Sequence, residues 1–362
     1  MAGELRVLVV GLGQMGLAHA RAYDALDGFA LAGLCARGIA ARADLPAAWR
    51  AVPRFSDFAA ALRAVRPDVV SINTWPDTHA AFALAAIEAG AHVFVEKPLA
   101  ESVADAERVV AAALAQRRKL VVGYILRVHP SWQKFIALAR TLGKPLVLRM
   151  NLNQQSVGKA WAWHRALMQS MSPIVDCGVH YVDVMCQMTG ARPVRVHAIG
   201  AHLSDAVKTY NYGHLHIAFA DGSVGWYEAG WGPMMSEVAF FVKDVIGPHG
   251  AVSIVMPEQG AAAVQGAAGT TSSDIDTHTK TNVIRLHHAA LNADGSLARP
   301  DEIFRMDDEP GHDALCAREQ AFLLHAIRDD VDLGDHMRDA VTSLRIVLAA
   351  DQSIRTNQVV TL

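Results

Sequence analysis

Three short stretches of this chain gather residue types able to cradle a phosphate, hold a substrate oxygen and move a proton. Near the start, Gly11-Leu12-Gly13-Gln14-Met15-Gly16 spaces its glycines as G-x-G-x-x-G. In such a turn the first glycine makes the bend, the second lets backbone approach a pyrophosphate, and the third permits close helix–strand packing. The helix that follows supplies N–H donors and the positive end of its dipole. Further on, Val95-Glu96-Lys97-Pro98 places a lysine just past an apolar run. At the C-terminal end of a parallel strand such a lysine faces the crevice where ligands bind; a solvated loop lysine is the plainer alternative. In the second half stands Asp176-Cys177-Gly178-Val179-His180-Tyr181-Val182-Asp183. On a helix, Asp176, His180 and Asp183 share one face. An imidazole beside a carboxylate suits proton transfer to or from a hydroxyl. The same residues could form a helix-surface pair, or Asp176 and His180 could ligate a metal. No third ligand stands at a suitable spacing, so no metal is expected.

These groups need rigid supports. Apolar, nearly continuous runs at 5–10, 30–35, 68–73, 91–95 and 119–123 predict strands buried on both faces. Ala/Leu-rich stretches such as 57–65 and 79–89 predict helices between them, the latter stopped by Gly90. This is an α/β Rossmann pattern over residues 1–123. From 124 to 362 the texture becomes α+β. Alternating runs at 146–153, 194–203, 212–220, 223–231 and 236–243 predict a large, mostly antiparallel open sheet. Asp221-Gly222 marks a hairpin between two of them. Helices are expected at about 159–188, 311–329 and 336–353, and the Gly/Ala/Ser/Thr-rich segment 257–280 reads as a mobile surface excursion. No internal repeat is visible.

Where a carboxylate normally holds the adenosine ribose, at the end of the second strand, the chain reads Leu34-Cys35-Ala36-Arg37-Gly38. A guanidinium can stack on adenine and pair with a 2′-phosphate that Asp or Glu would repel. Arg37 therefore favours NADP over NAD. The alternative is a merely solvated arginine. The 362 residues carry 33 Lys+Arg against 36 Asp+Glu, a net charge of -3, with no basic cluster. That balance excludes nucleic acid and anionic membranes as expected partners. Cys35, Cys177, Cys186 and Cys316 are scattered without a C-x-x-C pair, and reduced thiols are expected. No signal-like stretch precedes Leu5 and no segment has the length of a membrane span, so a cytoplasmic location is expected. The 17 histidines do not cluster in sequence, although His214 and His216 share a strand face with Trp226 and Glu228 across from them.

The glycine turn, Thr74-Trp75-Pro76-Asp77-Thr78-His79, Glu96-Lys97-Pro98 and Asp176-x-Gly178-x-His180-x-x-Asp183 occur in one order and spacing. Together they resemble the glucose-fructose oxidoreductase / inositol 2-dehydrogenase family, Gfo/Idh/MocA, over nearly the whole chain. The resemblance implies an NAD(P)-dependent dehydrogenase or reductase interconverting alcohol and ketone on a sugar, inositol or related polyol. It implies that Gly11, Gly13, Gln14, Met15, Gly16, Arg37, Thr74, Trp75, Pro76, His79, Glu96 and Lys97 line the cofactor groove. Lys97, joined to Pro98 by a typically cis peptide, would orient nicotinamide and substrate. His180 would be the general acid/base, and Asp176 would bind a substrate hydroxyl. Arg127 and Trp163 fall on the substrate side, Arg127 with a hinge role as its alternative. The chain departs from the family at Ser170-Met171-Ser172-Pro173, where a Gly-Gly pair is usual, and Trp163-His164-Arg165 matches a family Trp-Arg pair only with a shift. The implied partner is a second copy, as homodimer or homotetramer, paired through the open sheet face. The absence of a basic run near these motifs points away from nucleotide-sugars. Two other readings share the scaffold: a cofactor-retaining glycosidase, and a non-catalytic dinucleotide-binding sensor. Retention of Lys97, Asp176 and His180 argues against the sensor.

Overall fold

The computed structural model describes residues 3–236, 242–255, 272 and 279–362. Contacts divide the chain into two units, Met1–Ile125 with Gly311–Leu344 and Leu126–Pro310 with Arg345–Leu362. In chain order the helices are α1 Gln14–Ala25, α2 Phe58–Val65, α3 Pro76–Glu88, α4 Val103–Ala115, α5 Ile125–Val128, α6 Pro130–Ala139, α7 Gly158–Leu167, α8 Pro173–Asp176, α9 Gly178–Thr189, α10 His312–Arg328 and α11 Gly334–Thr356.

The first unit is built on a parallel sheet of β1 Leu5–Val10, β2 Phe29–Cys35, β3 Arg54–Phe55, β4 Val69–Ile72, β5 His92–Val95 and β6 Leu120–Val122. Their order is β3-β2-β1-β4-β5-β6. Val7, Leu8, Val9, Val70, Ile72, Val93 and Phe94 are wholly buried, which explains why these strands show no polar alternation. The chain winds outward in both directions from β1 and β4, so a crevice opens where the ends of these two strands diverge. The turns that follow them carry the glycine motif and residues 73–76. Helix starts follow the local chemistry. Asp57 caps α2 by accepting from Ala60 N, Ser102 caps α4 by accepting from Asp105 N, and Pro76 opens α3, where its missing N–H costs nothing. α3 stops before Gly90, which takes a left-handed φ of 88°. The two-residue β3 is too short to leave a periodic signal. A single break at 123 puts residues 311–344 in the second domain, whereas their contacts lie with the first unit. There α10 packs along α1, and Arg21 reaches Asp313.

The second unit contains β7 Val147–Gln155, β8 Pro193–Ala201, β9 Tyr212–Phe219, β10 Val224–Gly232, β11 Lys243–Gly247, β12 Gly250–Val255, β13 Val283–His288, β14 Glu302–Arg305 and β15 Val360–Thr361. They form one mixed, mostly antiparallel sheet in the order β14-β13-β12-β11-β7-β10-β9-β8-β15. Within this sheet, among the described residues, only the β7–β10 pairing is parallel. The Asp221-Gly222 hairpin joins β9 to β10, with Gly222 at φ 85° and the Asp221 carboxylate accepting from Ser223 N at 2.9 Å. One face is apolar, with Leu148, Met150, Leu215, Tyr227 and Ala229 buried beneath the helices. The other alternates outward. The helix expected over 159–188 is three pieces, α7, α8 and α9. Ser172 and Pro173 interrupt it: the serine caps α8 by accepting from Val175 N, and proline starts a helix but cannot continue one. Residues 237–241 of the run at 236–243, and 257–271 with 273–278 of the expected excursion, lie outside the described residues.

Candidate functional site

The phosphate turn is a matter of steric room. Gly11 holds a φ of 84°, and a Cβ there would come within 2.4 Å of the Asn73 carbonyl oxygen. A Cβ on Gly16 would sit 1.9 Å from the Gly11 carbonyl oxygen. Both positions are closed to any other residue. Gly13 is the opposite: exposed, with nothing within 4 Å of a Cβ. It is also the N-cap of α1, and no side chain caps that helix. Among the described residues no hydrogen bond takes up the N–H groups of Gln14, Met15 and Gly16, the donors a pyrophosphate needs. The residues present fit a dinucleotide. Gln14 is exposed and Met15 half-buried beside this turn, and Arg37 is exposed at the end of β2, with no partner among the described residues. Arg42, unremarked in the sequence, donates from Nη1 to the Leu12 carbonyl at 2.7 Å and is paired through Nε with Asp44 at 2.6 Å. Its distance in sequence from the turn hid it.

The Lys97 turn is braced from two sides. The Lys97–Pro98 peptide is cis, as the resemblance implies. Glu96 is buried, and its Oε2 accepts from Lys97 N at 3.1 Å. Its Oε1 faces His19 Nε2 at 2.9 Å, and His19 Nδ1 in turn meets Gln320 Nε2 at 2.8 Å. On the other side His79 is buried with Nδ1 2.7 Å from the Pro98 carbonyl and Nε2 3.0 Å from the Thr74 carbonyl. Burial holds its pKa below the ordinary histidine value, despite those two carbonyls. His79 thus links the turn after β4 to the turn after β5. Thr74 is half-buried, Trp75 is exposed and Pro76 is buried. His19 and Gln320 were not singled out in the sequence. The signal was there for His19, a histidine on the apolar face of α1 between Ala18, Ala20 and Tyr23.

One grouping among the described residues could be taken for a metal site: ligand atoms of His19, Cys316 and Glu319 lie within 4.8 Å of one another. Both ring nitrogens of His19 already meet hydrogen-bond partners, which leaves the grouping short of an imidazole ligand.

In the second unit Asp176 closes α8 and is buried, and His180 lies half-buried in the first turn of α9. The two short helices meet at Cys177, whose Sγ lies 3.6 Å from Asp176 Oδ2 and 3.6 Å from Gln154 Oε1. Gly178 allows the close approach: a Cβ would be 3.0 Å from the Tyr227 ring. Asp183 faces Arg127, which donates Nε to Oδ2 at 2.9 Å and Nη2 to Oδ1, while Gln187 Nε2 donates to Oδ2 at 2.8 Å. Arg127 thus brings an ion pair to Asp183 from outside the helix. Trp163 is exposed on α7 beside His164, which stacks on Trp231 with centroids 4.4 Å apart.

Residues 5–124 match the family profile described as "Oxidoreductase family, NAD-binding Rossmann fold", and residues 134–247 match the GFO/IDH/MocA C-terminal domain. UDP-N-acetylglucosamine 3-dehydrogenase of Acidithiobacillus ferrooxidans is 32% identical over 197 residues, 54% of this chain and 58% of that protein. An inositol 2-dehydrogenase of Klebsiella pneumoniae is 31% identical over 192 residues, 50% of this chain and 53% of that protein. The chain thus spans little more than half the length of the curated relatives it matches. The solved structure of the Acidithiobacillus enzyme aligns with a TM-score of 0.74 at 24% identity, over 98% of this chain and 99% of that one. The WlbA dehydrogenase of Bordetella pertussis, solved with NADH and UDP-GlcNAcA, aligns at 0.75 with 19% identity, over 99% of each chain. At those identities the structures speak for the fold alone. With both of its halves matched, the chain belongs to the GFO/IDH/MocA family of oxidoreductases with an NAD-binding Rossmann fold.

Proposed function

We propose that this protein is an NAD(P)-dependent dehydrogenase or reductase that interconverts alcohol and ketone on a sugar, inositol or related polyol. The observation that carries this reading is the open N-terminus of α1 at Gly13, flanked by two glycines that sterics forbid to change. Gly11, Gly13, Gln14, Met15 and Gly16 would hold the pyrophosphate. Thr74, Trp75 and Pro76 would border the groove beyond it, with His79 and Glu96 bracing its walls from within. A nicotinamide dinucleotide, when bound, supplies the hydride acceptor or donor. The remaining tasks fall to side chains. In the oxidising direction His180 takes the hydroxyl proton, and in reverse it returns one. Asp176 accepts a hydrogen bond from a substrate hydroxyl. The Lys97 ammonium favours negative charge on the reacting oxygen. Arg127 lies on the substrate side, with a hinge role through Asp183 and α9 as its alternative, while Trp163 is exposed and able to border the substrate.

Arg37, exposed and with no partner among the described residues, supports a preference for NADP. No helix among the described residues is long and apolar enough to cross a membrane. We place the protein in the cytoplasm as a homodimer or homotetramer. The open sheet face, where Val147, Ile199, Val224 and Ile246 are exposed, is its pairing surface.

The test is absorbance at the reduced-nicotinamide band with NAD or NADP and a panel of inositols, aldoses, sugar acids and a UDP-sugar. The UDP-sugar belongs there because one relative is named for such a substrate. A rise with one compound supports the reading. Silence across the panel with cofactor bound favours a cofactor-retaining hydrolase instead. On the substrate so found, His180→Ala is expected to lower turnover on the order of 100- to 10,000-fold. Near-normal turnover removes His180 from the proton transfer. Arg37→Asp is expected to shift the cofactor preference towards NAD, measured as the ratio of kcat/KM for the two cofactors. An unchanged ratio removes the argument for NADP.

A further inference from the structure

We propose that His19 and Gln320 are positioning residues that set the Lys97 turn through a chain of hydrogen bonds that converges on Glu96. The inference rests on the reading of Lys97 as the group that meets substrate. The chain's direction follows from which atoms can donate. An ionised Glu96 is acceptor-only, so the His19 nitrogen facing Oε1 at 2.9 Å must carry a hydrogen. In the neutral ring the other nitrogen then holds a lone pair. Gln320 supplies the matching group, its Nε2 donating to Nδ1 at 2.8 Å. Glu96 completes the chain by accepting from Lys97 N at 3.1 Å. The order is Gln320 amide to imidazole to carboxylate, with the Lys97 N–H donating to that carboxylate from the far end.

Every participant except Lys97 is buried: His19 and Gln320 are wholly so and Glu96 is 7% exposed. Water is therefore not at hand to replace a lost partner, and a wrong proton position cannot be masked. Nearby atoms hold the members in place. The His19 ring lies 4.5 Å from the Phe94 ring, centroid to centroid. A Cβ on Gly123 would lie 3.3 Å from Glu96 Oε2, so the carboxylate occupies room that the glycine leaves. Two charged neighbours bear on the chain. Glu319, on α10, is also buried, and burial first, then the Glu96 charge, pushes its pKa well above the carboxylate range. That direction favours the neutral form of Glu319. Arg21 is turned away to Asp313.

The test uses the full chain. Glutamate is isosteric with glutamine but cannot donate when ionised, so Gln320→Glu reverses the demand on His19. Gln320→Met removes the demand and keeps the bulk. If the chain sets Lys97, Gln320→Glu lowers kcat by about tenfold or more, and further than Gln320→Met, with KM for the dinucleotide changed less than about twofold. A side chain that only filled space would rank the two the other way, and that ranking overturns the proposal. Nitrogen-15 NMR of the histidine rings, with His19→Gln to assign the signal, is expected to show Nε2 protonated and Nδ1 bare in the wild type. The opposite tautomer overturns the proposal even if Gln320→Glu fails to fold. So does an unmoved Lys97 amide resonance in Gln320→Met. These two readouts need no turnover, so a chain with no dehydrogenase activity defeats the function proposed above and still leaves the relay to be judged.

Discussion

Asp183 in α9 and Glu319 in α10 are almost equally buried, at 1% and 2% exposed. The first receives the fork of Arg127 and the amide of Gln187, while neither oxygen of the second has a hydrogen-bond partner among the described residues. A buried carboxyl group has two ways to avoid standing as a bare charge. It can be met by donors, or it can keep its proton. The second unit uses the first way beneath the Asp176–His180 segment. The first unit leaves both oxygens of Glu319 without donors among the described residues, and burial, then the charge of Glu96, pushes its pKa up, towards the second way. The same residue chemistry thus serves as a fixed strut in one place and as a group biased towards its neutral form in the other.

Removing the donor fork breaks the comparison most severely. Arg127→Met takes the guanidinium fork away from Asp183, and a buried charge stripped of its partner costs about 3–5 kcal/mol. Urea unfolding is expected to show a loss of that order. A loss under about 1 kcal/mol would mean that α9 does not depend on the pair. The Glu319 side of the comparison is smaller and depends on pH. Its folded pKa is raised, so its contribution is fully present below the unfolded pKa of about 4.3 and declines as pH rises towards the folded value. In that window the unfolded chain has released a proton that the folded chain retains. Glu319→Gln removes this drift, worth at most about 1.4 kcal/mol per pH unit. Stability measured from pH 4 to 8 should therefore fall more slowly in the variant than in the wild type. Parallel curves would show that Glu319 is ionised in the fold.

The Rossmann half was largely legible because its signals are local. β1, the glycine turn and α1 follow each other within Leu5–Ala25, and burial on both faces makes each later strand an unbroken apolar run. The second half was legible where alternation and a hairpin dipeptide coincide, as at β9 and β10. It was illegible where partners are remote. Nothing in Asp183's neighbours announces Arg127, and nothing in the glycine turn announces Gln320. Pro173 was visible, yet the apolar periodicity across it suggested one helix where Ser172 caps a new one. Of the candidate site, the glycine turn could be read from spacing, while Lys97 was singled out over a solvated loop lysine only through the family resemblance. The buried side chains that aim the Lys97 turn could not be read, because hydrogen bonds between distant residues leave no period.

β7 sits between β11 and β10, two strands that are neighbours in sequence but not in the sheet. Val147 pairs with Val224 and Met150 with Lys243, so β7 has no partner close to it along the chain. By contrast β8, β9 and β10 can zip as one local meander, and β11 to β14 as another. On the ribosome β7 therefore emerges early and waits with both edges bare until these later strands arrive. Closing it between them forms the long-range contacts that are slowest to assemble and most open to wrong pairing. Of the strands in this sheet, β7 is thus the one that its own synthesis leaves longest with both edges bare.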